Sequence, residues 1–357
     1  MLQLSEHLFP MYEVIISLIQ SIISKRSVKE CLYWLIELHS SIDTISDSLL
    51  CIYHLFFAVG NKGLDGYIYR KLNIYATRPD DITALADIVC ALRTSQPSID
   101  AYIIWISATS ELMPTKVYKT PFTNCRFVGL IRSICHSDCS NAGVYLRLAS
   151  SSVSYMRIVD EIVSHFNIDK LDTLKYGGSD IIYTCAMIAN AIPIKSEQKN
   201  PHNFVRASPS MVNEIVEHFN SEPKQKWLKL THRRLYPTHS TVLGRPHETK
   251  YSRYEVEDIA SSCWYSWEYY CYNSRLWNKR FKTYDGTKDD ISKKVVFPND
   301  DTLEAFYENG NALEFDEQSL ETQMMSLHPL TIISEPLDWF QLQINNRVCN
   351  QFKQIKI

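Results

Sequence analysis

The residues best suited to contact an anionic partner are concentrated in one irregular segment, residues 224–253. Lysine and arginine recur through it, against a single carboxylate at Glu248. Cations neutralise phosphates and aromatic faces stack on unpaired bases, so the combination with Trp227 and Tyr236 is typical of nucleic-acid contact. The cations predicted to contact an anionic partner or a nucleic acid are Lys224, Lys226, Lys229, Arg233, Arg234, Arg245, Lys250 and Arg253.

The same segment has two other interpretations. Its charge could meet an acidic protein partner. It could also pair with the chain's own residues 299–321, which contain eight carboxylates and no lysine or arginine. The sequence leaves the three alternatives open.

A second candidate contact surface is aromatic. Residues 254–281 read as one long helix, in which Trp267, Tyr270 and Trp277 recur at helical spacing. Aromatic side chains dominate interface hot spots, but a stripe of them at helical spacing is more often part of a core. We expect these three residues to serve both as core and, with Trp227 and Tyr236, as stacking groups or interface anchors.

Catalytic and metal-binding patterns are missing from the sequence. There is no glycine-rich phosphate loop, no HExxH helix and no GxSxG elbow, so no catalytic residue is predicted and the chain is not expected to be an enzyme. Cys135 and Cys139 have the spacing of half a zinc site, with Cys125 and His136 nearby, but a second pair is absent. Buried thiols are the favoured interpretation, and no metal or cofactor is predicted.

The elements that must position these residues are helices. Apolar side chains follow the 3.6-residue period through most of the first 220 residues, and helix starts are marked at Ser27 by a capping box and at Ser208-Pro209 by a serine followed by proline. Residues 161–167 recur as residues 214–220, which suggests stacked helical repeats unless two amphipathic helices coincide. The sequence therefore predicts an all-α, multi-helical fold, with a HEAT-like repeat array as its finer form and an irregular C-terminal part.

Changes in pattern along the chain divide it into five segments. We expect an N-terminal helical domain (1–113), a second helical region (122–223), the basic segment (224–253), an aromatic helix region (254–297) and an acidic, irregular C-terminal segment (298–357).

Composition limits the compartment and the class. Of 357 residues, 45% are hydrophobic and 22% charged, which is typical of a globular chain. The net charge of −3 offers no global attraction to nucleic acid or to an acidic membrane. No apolar run is long enough to span a bilayer, the start lacks the pattern of a signal peptide, and ten scattered cysteines suit a reducing compartment. A cytoplasmic protein without membrane contact is expected.

Two aromatic stretches resemble a family of helical proteins from large cytoplasmic DNA viruses of protists: residues 30–38 with the following 50–53 and 56–58, and residues 267–277. The resemblance implies a viral protein acting in the cytoplasm of the infected cell, in a viral factory. With the predicted fold it suggests a non-catalytic scaffold or adaptor that organises a multi-protein complex of translation initiation, transcription or replication, with RNA as a further contact. The alternatives are a direct nucleic-acid-binding protein using residues 224–253 and a structural component of the virion. The oligomeric state is not predicted.

Overall fold

The computed structural model describes residues 3–7, 9, 11–42, 45–109, 125–173, 179–193, 206–221 and 266–308. Within them the chain forms fourteen α-helices and one antiparallel pair of short strands, which confirms the all-α, multi-helical prediction. The elements are α1 (Met11–Ile23), α2 (Val28–Ser41), α3 (Ile45–Phe56), α4 (Lys62–Thr77), α5 (Thr83–Thr94), α6 (Asp100–Thr109), α7 (Cys125–Cys135), α8 (Cys139–Ser150), α9 (Tyr155–Phe166), α10 (Asp180–Ala191), α11 (Pro209–Ser221), α12 (Trp267–Cys271), α13 (Arg275–Thr283), β1 (Thr287–Asp289), β2 (Lys294–Val296) and α14 (Asp300–Glu308).

These elements form two compact units. The first contains the described residues up to Ile42 together with those from Ser208 onward, and the second runs from Ile45 to Ala207. The division does not follow the predicted segments, because α1 and α2 share a unit with α11 and with residues 266–308. Helix α6, which precedes the gap at 110–124, packs on α8, the second helix after the gap, and α7 also packs on α8.

Helix α2 is the centre of the first unit. It begins where the sequence predicts, with Ser27 Oγ accepting a hydrogen bond from the Glu30 backbone N–H at 3.1 Å. Its residues from Cys31 to Leu38 are buried on all sides, because α1, α11 and α13 all pack on it. The predicted start of α11 at Pro209 is also confirmed.

In the second unit, α6 and α8 cross at unusually short range. A Cβ added at Gly143 would lie 2.2 Å from the Ile104 carbonyl oxygen and 2.6 Å from Ser107 Cβ, so only glycine permits this approach. The close crossing buries α6 from Ala101 to Ala108. Helix α10 packs on α3, α6 and α9, and α4 packs on α5.

Three features differ from the sequence predictions. The described part of the expected helix 254–281 is two helices, α12 and α13, separated by a turn at residues 272–274. Helix α4 was not predicted, and neither was the hairpin of β1 and β2, in which Thr287 pairs with Val296 and Asp289 with Lys294. Strands suggested by the apolar residues 330–333 and 340–344 lie outside the described residues.

The repeated heptapeptide falls at the ends of α9 and α11. Equivalent positions are buried in both helices, with Val159 and Ile162 in α9 matched by Val212 and Ile215 in α11. The two helices have the same amphipathic pattern, and a common repeat origin stays a prediction. No helix of the described residues combines the length and apolar character needed to cross a bilayer.

Candidate functional site

The basic segment 224–253, with its eight predicted contact cations and with Trp227 and Tyr236, lies outside the described residues. Those contacts stay predictions. Of the acidic segment 299–321, the structure describes residues 299–308, which contain α14. The described surface features suited to binding therefore come from residues 266–308, which we call the C-terminal module.

The remaining predicted anchors lie in an aromatic core of this module or pack against it. Trp267 and Trp277 are 1% and 0% exposed, and their ring centroids lie 4.9 Å apart, edge to face. Tyr270 is half-buried and packs against the same core. The two tryptophans are thus core residues and do not form a contact surface. The buried members of the aromatic core are Leu4, Trp267, Cys271, Trp277, Phe281 and Phe306.

Tyr269 of α12 holds the hairpin against the rest of the module. The Nζ atoms of Lys288 and Lys293 lie 4.3 Å and 4.9 Å from the centroid of the Tyr269 ring, within cation–π range. The Tyr269 hydroxyl donates to Asp290 Oδ1 at 2.7 Å and accepts from Lys293 Nζ at 3.0 Å. The hydrogen bond with Tyr269, followed by smaller charge effects, raises the pKa of Lys293. Four contacts to the buried Tyr269 side chain, one from β1 and three from the turn, therefore hold the hairpin on the module.

The turn of the hairpin is held by Asp289. Its carboxylate accepts hydrogen bonds from the Ile291 backbone N–H at 2.9 Å and from the Ser292 hydroxyl at 2.6 Å. The bond from Ser292 is the main reason why the pKa of Asp289 lies below its usual value. Lys293 closes the turn in the left-handed region, with φ of 56°. The turn is ordered by its own polar groups, and Ile291 projects from it with 95% of its side chain exposed.

Exposed apolar side chains are concentrated on this module. The described residues expose four large hydrophobic side chains, and three of them, Ile291, Val296 and Leu303, fall within thirteen residues. Alternation along β2 explains the exposure of Val296, because Val295 packs on the aromatic core while Val296, on the opposite face, is 49% exposed. We call Ile291, Val296 and Leu303 the apolar group of the module.

A basic cleft lies on α13 and the turn before it. It has a volume of about 780 Å³ and is open to solvent. Its lining contains three cations, two amides and one hydroxyl, and no carboxylate. The lining residues are Asn273, Arg275, Asn278, Lys279, Lys282 and Thr283. No pattern in the sequence indicated this cleft.

The first unit also contains a buried titratable cluster. His7 and Glu37 are both fully buried, and His7 Nδ1 donates to Glu37 Oε2 at 2.5 Å while the His7 backbone N–H donates to Oε1 at 2.9 Å. Burial alone would raise the pKa of Glu37, but the charge of His7 and hydrogen bonds from His7 and Ser5 outweigh it, so the pKa is lowered. The ionised carboxylate is thus matched by the groups around it.

Glu6 is the third member of this cluster. Burial raises the pKa of Glu6 to about 7. The charge of His7 opposes this shift, and the charge of Glu37 reinforces it. Its backbone is fixed at both ends, because the N–H donates to Ser41 Oγ at 2.9 Å and the C=O accepts from Trp277 Nε1 at 2.9 Å. The cluster thereby ties residues 5–7 to α2 and to α13.

A second buried cluster lies in the second unit. The Thr173 hydroxyl donates to Asp65 Oδ1 at 2.8 Å, so His54 Nε2, 2.9 Å from the same hydroxyl, must be the donor to Thr173. Burial lowers the pKa of His54 to about 3, which keeps the ring neutral in this tautomer. Burial also raises the pKa of Asp65, although hydrogen bonds from Thr173 and the Asp172 backbone oppose the shift.

Both clusters direct their hydrogen bonds to the chain's own backbone and side chains. They tie residues 5–7 to α2 and residues 172–173 to α3 and α4. Their geometry is that of polar contacts that fix non-helical segments. We assign them structural roles.

The cysteine pair considered for zinc does not gather further ligands in the described part of the chain. Cys135 is exposed at the end of α7, and Cys139 donates its S–H to Asp100 Oδ1 at 3.7 Å. Burial, reinforced by Asp100, raises the pKa of the Cys139 thiol, which opposes the thiolate form that metals bind. Among the described residues no group of three or more potential ligands could hold a metal ion.

Some of these residues left a signal in the sequence. Glu37 occupies an otherwise apolar face of α2, and a buried acid needs a partner. The identity of that partner, His7, thirty residues earlier, does not follow from periodicity. The hairpin left a weaker signal because each strand is only three residues long, and the cleft did so because its lining residues are polar.

Comparisons with models of protein families, with curated proteins and with solved structures give no match to this chain.

Proposed function

We propose that the protein is a non-catalytic helical adaptor, and that the apolar group of the C-terminal module docks another protein. The partner surface has an apolar pocket for Ile291 with charged groups of both signs at its rim. The observation that carries the proposal is that three of the four large exposed hydrophobic side chains of the described residues lie between residues 291 and 303. Single exposed hydrophobic residues need no explanation, but a concentration on one module does.

The order of the hairpin supports docking. A binding surface that is already fixed loses little conformational entropy when a partner binds. The Asp289 and Tyr269 contacts fix both the turn and the strands, so Ile291 is presented in one position. Full burial of an isoleucine side chain contributes roughly 1.5–3 kcal/mol, enough for Ile291 to act as an anchor.

The charge around Ile291 indicates the chemistry of the partner. The carboxylates of Asp289 and Asp290 accept hydrogen bonds from Ser292 and Tyr269 inside the module. The side chains of Lys293 and Lys294 are exposed. Hydrogen bonding does not cancel the charge of these carboxylates, and the Asp290 side chain is 76% exposed. Charges of both signs therefore surround Ile291, and a partner rim with groups of both signs is complementary to them.

The setting is taken from the sequence resemblance. A protein of a large cytoplasmic DNA virus would act in the infected cell, in a complex of translation initiation, transcription or replication. The same docking surface would join copies of the chain if it were a component of the virion.

The test is affinity purification of the full chain from the cells that naturally make it, after nuclease treatment, with mass spectrometry of the bound proteins. Ile291→Asp should reduce recovery of a specific protein at least tenfold, because it replaces the anchor with a charge. Ile74→Asp is the matched control, since Ile74 is also exposed, at 46%, but lies on α4.

Two outcomes would count against the adaptor. One is that Ile291→Asp and Ile74→Asp retain the same proteins in the same amounts as the natural chain. The other is that the chain binds only itself through this surface, shown by a dimer that Ile291→Asp dissociates in light scattering. That result would instead favour a structural component.

A further inference from the structure

The basic cleft on α13 is independent of the apolar group and suits a different ligand. Its six lining residues include the cations Arg275, Lys279 and Lys282 and no carboxylate. Within the described part of the chain, neither Lys279 nor Lys282 forms an ion pair. With respect to the described residues, these two exposed ammonium groups are therefore available to an anion from solution.

The position of these cations follows from the two faces of α13. Trp277 and Phe281 are fully buried in the aromatic core and hold one face of the helix. Successive residues of a helix are rotated by about 100° around its axis. The face opposite Trp277 and Phe281 therefore carries three cations within roughly 60° of rotation: Arg275, Lys279 and Lys282. The buried residues fix the helix, so the three cations form one straight stripe that cannot turn inward.

The length of the stripe matches a phosphate chain. At a rise of 1.5 Å per residue, Arg275 and Lys282 are separated by about 10.5 Å along the axis. One strand of a duplex carries one phosphate for about every 3.4 Å of helix axis, and the backbone path between neighbouring phosphates is longer because the strand winds around that axis. A stripe of this length therefore reaches about three phosphates at most. Asn273 and Asn278 add amides at the same cleft, and amides commonly bond phosphate and sugar oxygens.

We propose that this cleft binds the phosphodiester backbone of a nucleic acid without reading its sequence. The lining contains no aromatic side chain on which a base could stack, so contact is made to the backbone. An acidic protein segment is less suited, because its carboxylates do not recur with the short, regular spacing of phosphates. The proposal needs neither the adaptor function nor the cations of residues 224–253.

The test is fluorescence anisotropy of the full chain with a labelled 20-nucleotide thymidine oligonucleotide and with a 20-base-pair duplex, at 50 to 200 mM salt. Release of counterions from about three phosphates lowers affinity over this range by about 20-fold for the single strand and about 40-fold for the duplex. If the affinity of the natural chain falls more steeply with salt than this, cations outside the cleft also contribute to binding. The comparison of the two probes shows which form of nucleic acid the cleft prefers.

The decisive comparison is between charge variants. Lys279→Glu should weaken binding of both probes about tenfold at 50 mM salt and reduce the salt slope by about one, and Lys282→Gln should act in the same direction. Arg157→Glu is the matched control. It causes the same change of net charge on an exposed position near the start of α9, where an acid suits the Ser154 cap and the helix dipole.

Circular dichroism and thermal unfolding establish that each variant is folded. The proposal is overturned if Lys279→Glu binds as well as Arg157→Glu, or if neither probe binds the natural chain at 50 mM salt. It is also overturned if poly-glutamate competes as well as the oligonucleotide at equal charge, or if only Arg233→Glu and Arg234→Glu abolish binding.

Discussion

At the scale of single residues, the notable chemistry is the proton on Glu6. The carboxyl group is buried beside Glu37 and His7, and its pKa is raised to about 7. The folded state therefore retains this proton at pH values where the unfolded chain has lost it. The stabilisation is fully present below the unfolded pKa of about 4.5 and is lost as pH rises through about 7.

Glu6→Gln should remove this dependence, because glutamine resembles the protonated acid at every pH. Relative to the natural chain, the variant should gain up to about 3 kcal/mol in the free energy of unfolding between pH 4.5 and pH 8. Urea denaturation at several pH values measures the difference. Glu161→Gln, at an exposed position of α9, is the control and should show an almost constant difference. If the difference in free energy of unfolding between Glu6→Gln and the natural chain were also constant with pH, the raised pKa of Glu6 would be contradicted.

At the scale of elements, packing decides which helices form and how closely they cross. Helix α4 contains Gly63 and Gly66 and is a weak helix former by propensity. It is nevertheless helical because Leu64, Ile68 and Leu72 bury one face in the second unit. Tertiary burial thus outweighs local propensity here.

The crossing of α6 and α8 gives a prediction at this scale. Gly143→Ala should lower the free energy of unfolding by about 1–3 kcal/mol, because the new methyl group would overlap the Ile104 carbonyl. Gly66→Ala is the control, since its nearest neighbour would be Arg70 at 3.9 Å, and it should raise stability by about 0.5–1 kcal/mol. Thermal and urea unfolding check both. Equal stability of Gly143→Ala and the natural chain would show that the two helices can separate without cost.

At the scale of the whole molecule, the first unit joins distant parts of the chain. Leu4 lies in the aromatic core with Trp277 and Phe306, and its backbone N–H donates to the Tyr270 carbonyl at 3.0 Å. The C-terminal module is therefore completed by residues near the start of the chain. Contacts of such long sequence separation slow folding, because a large loop must close before they form.

Leu4→Ala should destabilise the C-terminal module, because it leaves a cavity in the aromatic core. We expect a loss of about 2–5 kcal/mol. Hydrogen exchange should report faster exchange in residues 267–306. Ile74→Ala removes a side chain that is 46% exposed and should leave exchange in this module unchanged. Unchanged protection in Leu4→Ala would mean that the module is stable without residues 3–9.

Most of the helices could be predicted from the sequence, and the surfaces mostly could not. The capping box at Ser27 and the proline at 209 act within a few residues, so they are visible locally. The hairpin was missed because each of its strands is only three residues long and its order comes from Tyr269, eighteen positions before β1. Trp267 and Trp277 were expected partly at the surface, since spacing alone does not distinguish a core from an interface.

By itself the sequence determined the class of fold, because helical periodicity and capping depend on residues a few positions apart. It also indicated the charge available for binding. Only the tertiary structure decided where that chemistry lies: His7 against Glu37, Leu4 within the aromatic core, and the cations of α13 opposite Trp277 and Phe281. These pairings join residues far apart in the chain or depend on which face of a helix is buried. They are selected by the packing of the whole unit, which no local pattern encodes.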